Sequence, residues 1–264
     1  MKKYTQYIAL LTMVALFSAS SCKEECHDPA NPECENYDAC YGKTPLEADF
    51  TIEEVVRAGS GGALGQTDTS YVSDTIVSSP NQGVSARFTA AGNYNTYHWQ
   101  IGTDPTVFTT KSFKQFFPNP VTVWVTLIAT RTPDTFCFPN DDGIDTIRKR
   151  LVVVPRSQSL IFGNYMGSST QKPDSNYAVR FEICPTDNQD YRLTGLAGCE
   201  LTSGCNYNTY IGYRGGFFNN DETFTCLQNG FIYYDRPTNK VTIKYRQDFF
   251  IDSAKTNYYT GIKQ

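Results

Sequence analysis

The chain has 264 residues, of which 40% are hydrophobic and 19% are charged, a composition that is typical of a globular protein and excludes a disordered or collagen-like one. Its 27 Asp and Glu residues outnumber its 23 Lys and Arg residues, which excludes the strongly basic balance of a typical nucleic-acid binder. Only two histidines are present, which excludes most histidine-centred catalysis, and the length favours two domains.

The first 21 residues have the pattern of a secretion signal. Two lysines near the start precede an uncharged apolar run at residues 8–17, which is too short for a membrane span of about 20 residues. The small residues Ala19-Ser20-Ser21 come directly before Cys22. This arrangement resembles a bacterial lipobox, which implies that residues 1–21 are removed and that Cys22 carries a lipid. Ordinary secretion, with Cys22 left unmodified, is the alternative.

Charged residues follow that cysteine at once. Lys23-Glu24-Glu25 resembles the surface-export signal of lipoproteins in the Bacteroidota. The resemblance implies a protein that is anchored in the outer membrane by its N-terminal lipid and faces the cell exterior, whereas a solvated charged tether is the alternative. Residues 22–44 contain three further cysteines, Pro29 and Pro32, and few apolar side chains, so they predict an extended, lipidated tether.

The eight cysteines after Cys22 predict disulfide bonds, because their number is even and an exported protein meets an oxidising environment. They fall into two sets: Cys26, Cys34, Cys40 and Cys137, and then Cys184, Cys199, Cys205 and Cys226. We expect pairing within each set, with two of the first three joined to each other and the third joined to Cys137. Zinc is the less favoured alternative, because the spacings do not match zinc knuckles.

Residues 45–156 predict one β unit. Short alternating or β-branched runs lie at residues 48–52, 84–90, 97–101, 121–129 and 146–154, with Gly- and Pro-containing segments between them. No long stretch has the helical period of 3.6. This pattern favours an Ig-like β-sandwich.

Two segments of this unit carry a family signature. Residues 97–104 contain Tyr-x-Trp-x-Ile-Gly-x-Asp, and residues 121–127 form a β-branched strand ending in Val-Thr-Leu. They resemble the Y-x-W-x-F-G-D and V-x-L-T-V elements of PKD domains, which are Ig-like sandwiches of surface and secreted proteins. The chain departs from that family at Gln100, where an acidic residue is usual, and in lacking the histidine of the H-T-Y element. The resemblance covers Ala48 to Pro155 and implies a PKD-like spacer domain.

Individual residues of this unit have predicted places. Trp99 is expected to fill the core, because a Trp on a central sandwich strand normally packs between the sheets, and His98 is then expected on the exposed face. A calcium loop is one interpretation of Asp141, Asp142 and Asp145, because hard cations prefer several oxygen ligands. We favour a charged hairpin turn there, since the full calcium-loop pattern is missing.

Residues 157–264 predict a second β unit. Strand-like runs at residues 177–183, 208–213, 230–234, 240–245 and 257–262 favour an up-and-down antiparallel meander that forms a small barrel or a second sandwich. Its opening Gly163-x-Tyr165-x-Gly167 and its aromatic-Gly ending resemble lipocalin-like lipoprotein domains, and that resemblance implies the fold alone.

Aromatic residues concentrate in one part of this second unit. Tyr207, Tyr210, Tyr213 and Phe217 lie close in sequence to Arg214. Cross-strand packing is the interpretation we favour for such residues. The alternative is a ligand-binding platform, because Tyr offers a flat apolar face with a polar rim to a sugar ring or a peptide.

The sequence carries no recognisable catalytic motif. It has no G-x-S-x-G elbow, no H-E-x-x-H and no P-loop, and the second unit has no histidine. We therefore expect no enzymatic activity, no cofactor and no nucleic-acid partner, with a small two-carboxylate glycan-active enzyme as the remaining enzymatic alternative. The expected function is a non-enzymatic binding or adhesion module whose second β unit recognises a glycan or an envelope protein. A structural subunit of an outer-membrane complex, without a ligand of its own, is the alternative.

Overall fold

The computed structural model describes residues 26–56, 69–79, 83–184, 191–196, 207–220, 229–247 and 255–264. Within them the protein is all-β, as the sequence predicts, and the one helical segment is a short 3-10 turn at Arg156–Gln158. The predicted signal peptide, lipidated Cys22 and export signal Lys23-Glu24-Glu25 lie outside the described residues. In the described part, no helix is long and apolar enough to cross a membrane.

The first β unit is a sandwich of two sheets. Its described strands are β1 (Phe50–Val56), β2 (Thr69–Val72), β3 (Thr75–Ser78), β4 (Val84–Ala90), β5 (Thr96–Ile101), β6 (Val107–Phe108), β7 (Ser112–Phe117), β8 (Val121–Thr130) and β9 (Ile144–Pro155). One sheet has the order β2-β1-β4-β7, and the other has the order β3-β9-β8-β5-β6. β3 runs parallel to β9, and the other pairs are antiparallel. Each of the five runs predicted from the sequence overlaps one of these strands.

The sandwich core follows from side-chain alternation along the strands. In β4 every second residue from Val84 to Ala90 is buried, because successive side chains of a strand point to opposite faces. Trp99 is fully buried and packs edge-on against Phe50 and Phe113, with ring centroids 5.1 Å and 5.3 Å away. Its indole nitrogen donates to a backbone carbonyl at 2.9 Å, which satisfies the buried N–H. The predictions of a buried Trp99 and an exposed His98 are confirmed.

The second β unit is a single antiparallel sheet. Its described strands are β10 (Gly163–Ser169), β11 (Lys172–Ile183), β12 (Tyr191–Thr194), β13 (Tyr207–Ile211), β14 (Gly215–Asn220), β15 (Asn229–Asp235), β16 (Lys240–Gln247) and β17 (Lys255–Lys263). The order is β12-β11-β10-β17-β16-β15-β14-β13, and the sheet curls into a half-barrel. The edge strands β12 and β13 come near each other, but their described residues do not pair.

Tyrosines form a large part of the half-barrel core. Tyr165, Tyr245 and Tyr259 are fully buried in its core, and the hydroxyl of Tyr259 lies 3.1 Å from the carbonyl of Tyr165, to which it donates. Val77 of β3 belongs to the same core. The sandwich therefore contributes directly to the packing of the half-barrel.

The described residues divide into two compact units. Residues 26–47 and 132–143 form one of them. The sandwich and the half-barrel together form the other, which runs over the described parts of residues 48–131 and 144–264.

Two disulfide bonds lie within the smaller unit. Cys26 pairs with Cys34 and Cys40 pairs with Cys137, with Cα–Cα distances of 4.9 Å and 5.4 Å. This confirms the pairing predicted for the first set of cysteines. Cys184 of the second set is also disulfide-bonded. Cys199, Cys205 and Cys226 lie outside the described residues.

Candidate binding cleft

A buried carboxylate joins the sandwich to the half-barrel. Glu54 lies on β1, and none of its surface is exposed. Its Oε1 accepts the N–H of Val77 on β3 at 2.7 Å, and its Oε2 accepts the N–H of Tyr213, between β13 and β14, at 2.6 Å. One side chain thus connects all three sheets. Burial raises the pKa of Glu54 from 4.5 to about 7, although the hydrogen bonds from the two backbone N–H groups act in the opposite direction and lower it.

The turn that carries Tyr213 is held by further bonds. The hydroxyl of Ser159 donates to the carbonyl of Gly212 at 2.6 Å, and the N–H of Leu160 donates to the carbonyl of Tyr213 at 2.8 Å. A Cβ at position 212 would lie 2.6 Å from Oε2 of Glu54, so glycine is required for this close approach. The turn is therefore fixed by contacts from two sides.

Aromatic side chains pack β2 against the half-barrel. The ring centroid of Tyr71 lies 5.4 Å from that of Tyr233 and 6.3 Å from that of Phe231, and Phe231 in turn lies 4.6 Å from Phe217. The hydroxyl of Tyr71 is buried and has no hydrogen-bond partner among the described residues. Burial raises the pKa of Tyr71, and the nearby Glu54 adds to the shift. These contacts hold the two β units in one arrangement.

A cleft of about 550 Å³ opens at this junction. β1 contributes Phe50–Ile52, and the end of β2 with the turn after it contributes Val72–Asp74. The charged residues that line the cleft are four basic ones and one acidic one: Lys149, Arg150, Arg214, Arg236 and Asp74. Tyr213 adds an aromatic ring. A glycosidase needs two carboxylates, whereas this described lining has one, so its geometry suits binding an anion or a polar ring.

Two of the basic side chains are positioned by neighbours. The Nζ of Lys149 lies 2.6 Å from Oδ1 of Asp49 and 5.0 Å from the ring centroid of Phe50. The Nη2 of Arg214 donates to the hydroxyl of Tyr233 at 2.8 Å and lies 3.6 Å from Oδ1 of Asp235. The other two, on β9 and in the turn between β15 and β16, are exposed.

The aromatic residues singled out in the sequence do not share one site. Tyr213 and Arg214 line the cleft. Tyr210 lines a separate cleft of about 280 Å³, together with residues of β1 and β4. Phe217 is buried against Phe231. The side chain of Tyr207 lies outside what the structure describes.

Sequence reasoning missed three basic residues of the cleft. Lys149 and Arg150 belong to a run of three basic residues, 148–150, inside a strand that is otherwise rich in β-branched residues. This run of basic residues within a strand could have indicated a binding surface from the sequence alone. Arg236 carried no such signal, because it lies in a polar hairpin turn where an arginine is ordinary.

The three aspartates considered for calcium have other partners. Asp141 accepts two backbone N–H groups, at 3.2 Å and 2.9 Å, and Asp145 accepts two, at 2.6 Å and 2.7 Å. Asp142 is exposed. Among the described residues, no group of three or more His, Cys, Asp or Glu side chains is placed to hold a metal ion.

Among known proteins, no family model, no curated protein and no solved structure matches this chain. The candidate function therefore rests on the residues and geometry of the chain itself.

Proposed function

We propose that this chain is a lipid-anchored cell-surface protein that binds a glycan in the junction cleft and catalyses no reaction. The lipobox resemblance at Cys22 and the charged residues that follow it support an outer-membrane anchor with the body facing the exterior. The PKD-like sandwich then spaces the half-barrel from the membrane, and the half-barrel acts as the recognition head.

The observation that carries the proposal is the fixed presentation of Tyr213 and Arg214. Both lie in a turn that Glu54 and Ser159 hold by hydrogen bonds, and both line a cleft of about 550 Å³. This volume falls in the range of about 300–1,000 Å³ that is usual for small-ligand sites. A tyrosine ring packs on the apolar face of a sugar, and a guanidinium donates hydrogen bonds to its oxygens.

The cleft also gives the sandwich a part in recognition. Phe50–Ile52, Lys149 and Arg150 come from β1 and β9, whereas Tyr213, Arg214 and Arg236 come from the half-barrel. Recognition in this proposal therefore needs both β units, and the sandwich is more than a spacer.

A glycan array with the full, oxidised chain in detergent tests this function. We expect specific binding that falls about tenfold or more in Tyr213→Ala, because losing a central aromatic contact costs about 1.4 kcal/mol or more. Tyr210→Ala is the matched control, since Tyr210 belongs to the same hairpin and is also partly exposed, yet lines the other cleft. It should keep the binding of the parent chain.

Two results would overturn the proposal. A blank array with well-folded protein would favour the accessory-subunit alternative, and a pull-down from outer-membrane extracts would follow. Equal loss of binding in Tyr210→Ala and Tyr213→Ala would show that the junction cleft is not the site.

A further inference from the structure

The junction cleft is more positive than the chain around it. Four basic residues and one acidic residue line it, whereas the whole chain has a formal net charge of −4. A cleft lined by an excess of one sign concentrates ligands of the opposite sign. The ligand suggested by this charge pattern is therefore an anion.

Two of the four basic side chains already have polar partners within the protein. Lys149 is paired with Asp49, and Arg214 is bound to the hydroxyl of Tyr233 with Asp235 nearby. These partners hold the two side chains in place and offset part of their charge. They are not the groups with the most capacity left for a ligand.

Arg150 and Arg236 are the groups with that capacity. Both are exposed, and within the described residues neither has an ion pair or a side-chain hydrogen bond. They come from different β units, since Arg150 lies on β9 of the sandwich and Arg236 lies in the turn that follows β15 of the half-barrel. A guanidinium presents a planar fork of N–H donors, and this fork matches the paired oxygens of a carboxylate or a sulfate.

We propose that the cleft selects sugars that carry carboxylate or sulfate groups, with Arg150 and Arg236 binding the anionic groups and Tyr213 contacting the ring. This inference rests on the proposed glycan-binding function and adds the chemical class of the ligand. The size of the cleft favours one or two sugar units over a nucleic-acid duplex, which is far wider.

The test compares polysaccharides that share a backbone and differ in charge. Chondroitin sulfate, unsulfated chondroitin and methyl-esterified chondroitin form one series, and polygalacturonate with its methyl ester forms a second. Affinity for the full chain is measured by calorimetry at fixed salt. We expect both anionic backbones, or one of them, to bind at least about tenfold more tightly than the uncharged ester, since two guanidinium contacts are lost with the charge.

Charge-reversal variants place the effect in the cleft. Arg150→Glu and Arg236→Glu should each lower affinity for the anionic polysaccharide about tenfold. Lys172→Glu is the matched control, because Lys172 is an exposed basic residue on β11 that does not line the cleft. The affinity of this variant for the anionic polysaccharide should stay within about twofold of that of the parent chain. Arg150→Gln and Arg236→Gln replace the reversals if either Glu variant fails to fold.

The outcomes separate this inference from the function beneath it. Binding of neutral and anionic polysaccharides with equal affinity, unaffected by the Arg variants, would overturn the charge selection and leave glycan binding standing. An equal loss in Lys172→Glu would reveal unspecific attraction and would also overturn it. Failure to bind any glycan would remove both proposals.

Discussion

Glu54 brings an ionisable group into the interior at the point where three sheets meet. The alternation of β1 already places it inward, because Phe50 and Ile52 are buried and position 54 has the same phase. Its two oxygens accept hydrogen bonds from the backbone N–H groups of Val77 and Tyr213. Neither of these two hydrogen-bond partners carries a positive charge. A carboxyl in such surroundings gains a proton more readily than one in water.

Glu54 should make stability depend on pH. In the folded state the pKa of Glu54 is about 7, above the ordinary value of 4.5, so the folded chain holds this proton more tightly than the unfolded chain does. The stability gained in this way is fully present below pH 4.5 and is lost as the pH rises to 7. At about 1.4 kcal/mol for each pH unit, the loss is about 3 kcal/mol. Urea unfolding of the parent chain and Glu54→Gln, from pH 4.5 to 8, should show the parent losing this amount relative to the variant. A difference that does not change with pH would contradict this explanation.

At the scale of elements, β2 lies at the edge of its sheet in the described residues, and its Tyr71 packs against the half-barrel. Tyr71 makes the contact by packing on Tyr233 and Phe231, and it lies against Gly215, where a Cβ would be 2.7 Å from its Cζ. This packing buries a hydroxyl that finds no partner in the described residues.

Removing the hydroxyl of Tyr71 should not destabilise the protein. Tyr71→Phe deletes a buried polar group without a bond, so the free energy of unfolding should stay the same or rise by up to about 1 kcal/mol. Tyr165→Phe is the control, because its hydroxyl donates to the carbonyl of Ile161 at 2.6 Å and its loss should cost about 1 kcal/mol. Denaturant unfolding of both variants measures the effect. The opposite order of stabilities would show that Tyr71 has a partner that matters.

At the scale of the whole molecule, two disulfides close loops of very different length. Cys26–Cys34 spans 8 residues, whereas Cys40–Cys137 spans 97 and encloses β1 to β8 in its loop. A crosslink restricts the unfolded chain more strongly when its loop is longer. The longer crosslink therefore limits the unfolded states of most of the sandwich.

The two crosslinks should differ in their contribution to stability. Loop closure predicts a loss of about 5 kcal/mol for the double variant Cys40→Ser/Cys137→Ser and about 2.5 kcal/mol for Cys26→Ser/Cys34→Ser. Denaturant unfolding followed by the fluorescence of the buried Trp99 reports on the sandwich and should show the larger loss for the first variant. Equal losses, or a larger one for the short loop, would show that loop entropy does not explain the role of these bonds.

The local sequence determines those features of this protein that depend only on residues close together along the chain, such as the positions of strands and the direction of their side chains. Side-chain alternation located β4 and β5 and indicated that Trp99 is buried, because the period of a strand is set by its own backbone. The number and grouping of cysteines likewise anticipated the link from the tether to Cys137. The all-β class follows from the same local patterns.

Only the tertiary structure decided how the surfaces meet. Residues 54, 77 and 213 are far apart in the sequence, and no local period reveals that one carboxyl bonds to the other two. Packing between sheets also divided the aromatic cluster, burying Phe217 and leaving Tyr213 on the cleft. The packing of the sheets also brings Arg150 and Arg236 to that cleft. Contact between distant segments depends on the shape and burial of whole faces, and the order of neighbouring residues does not reveal it.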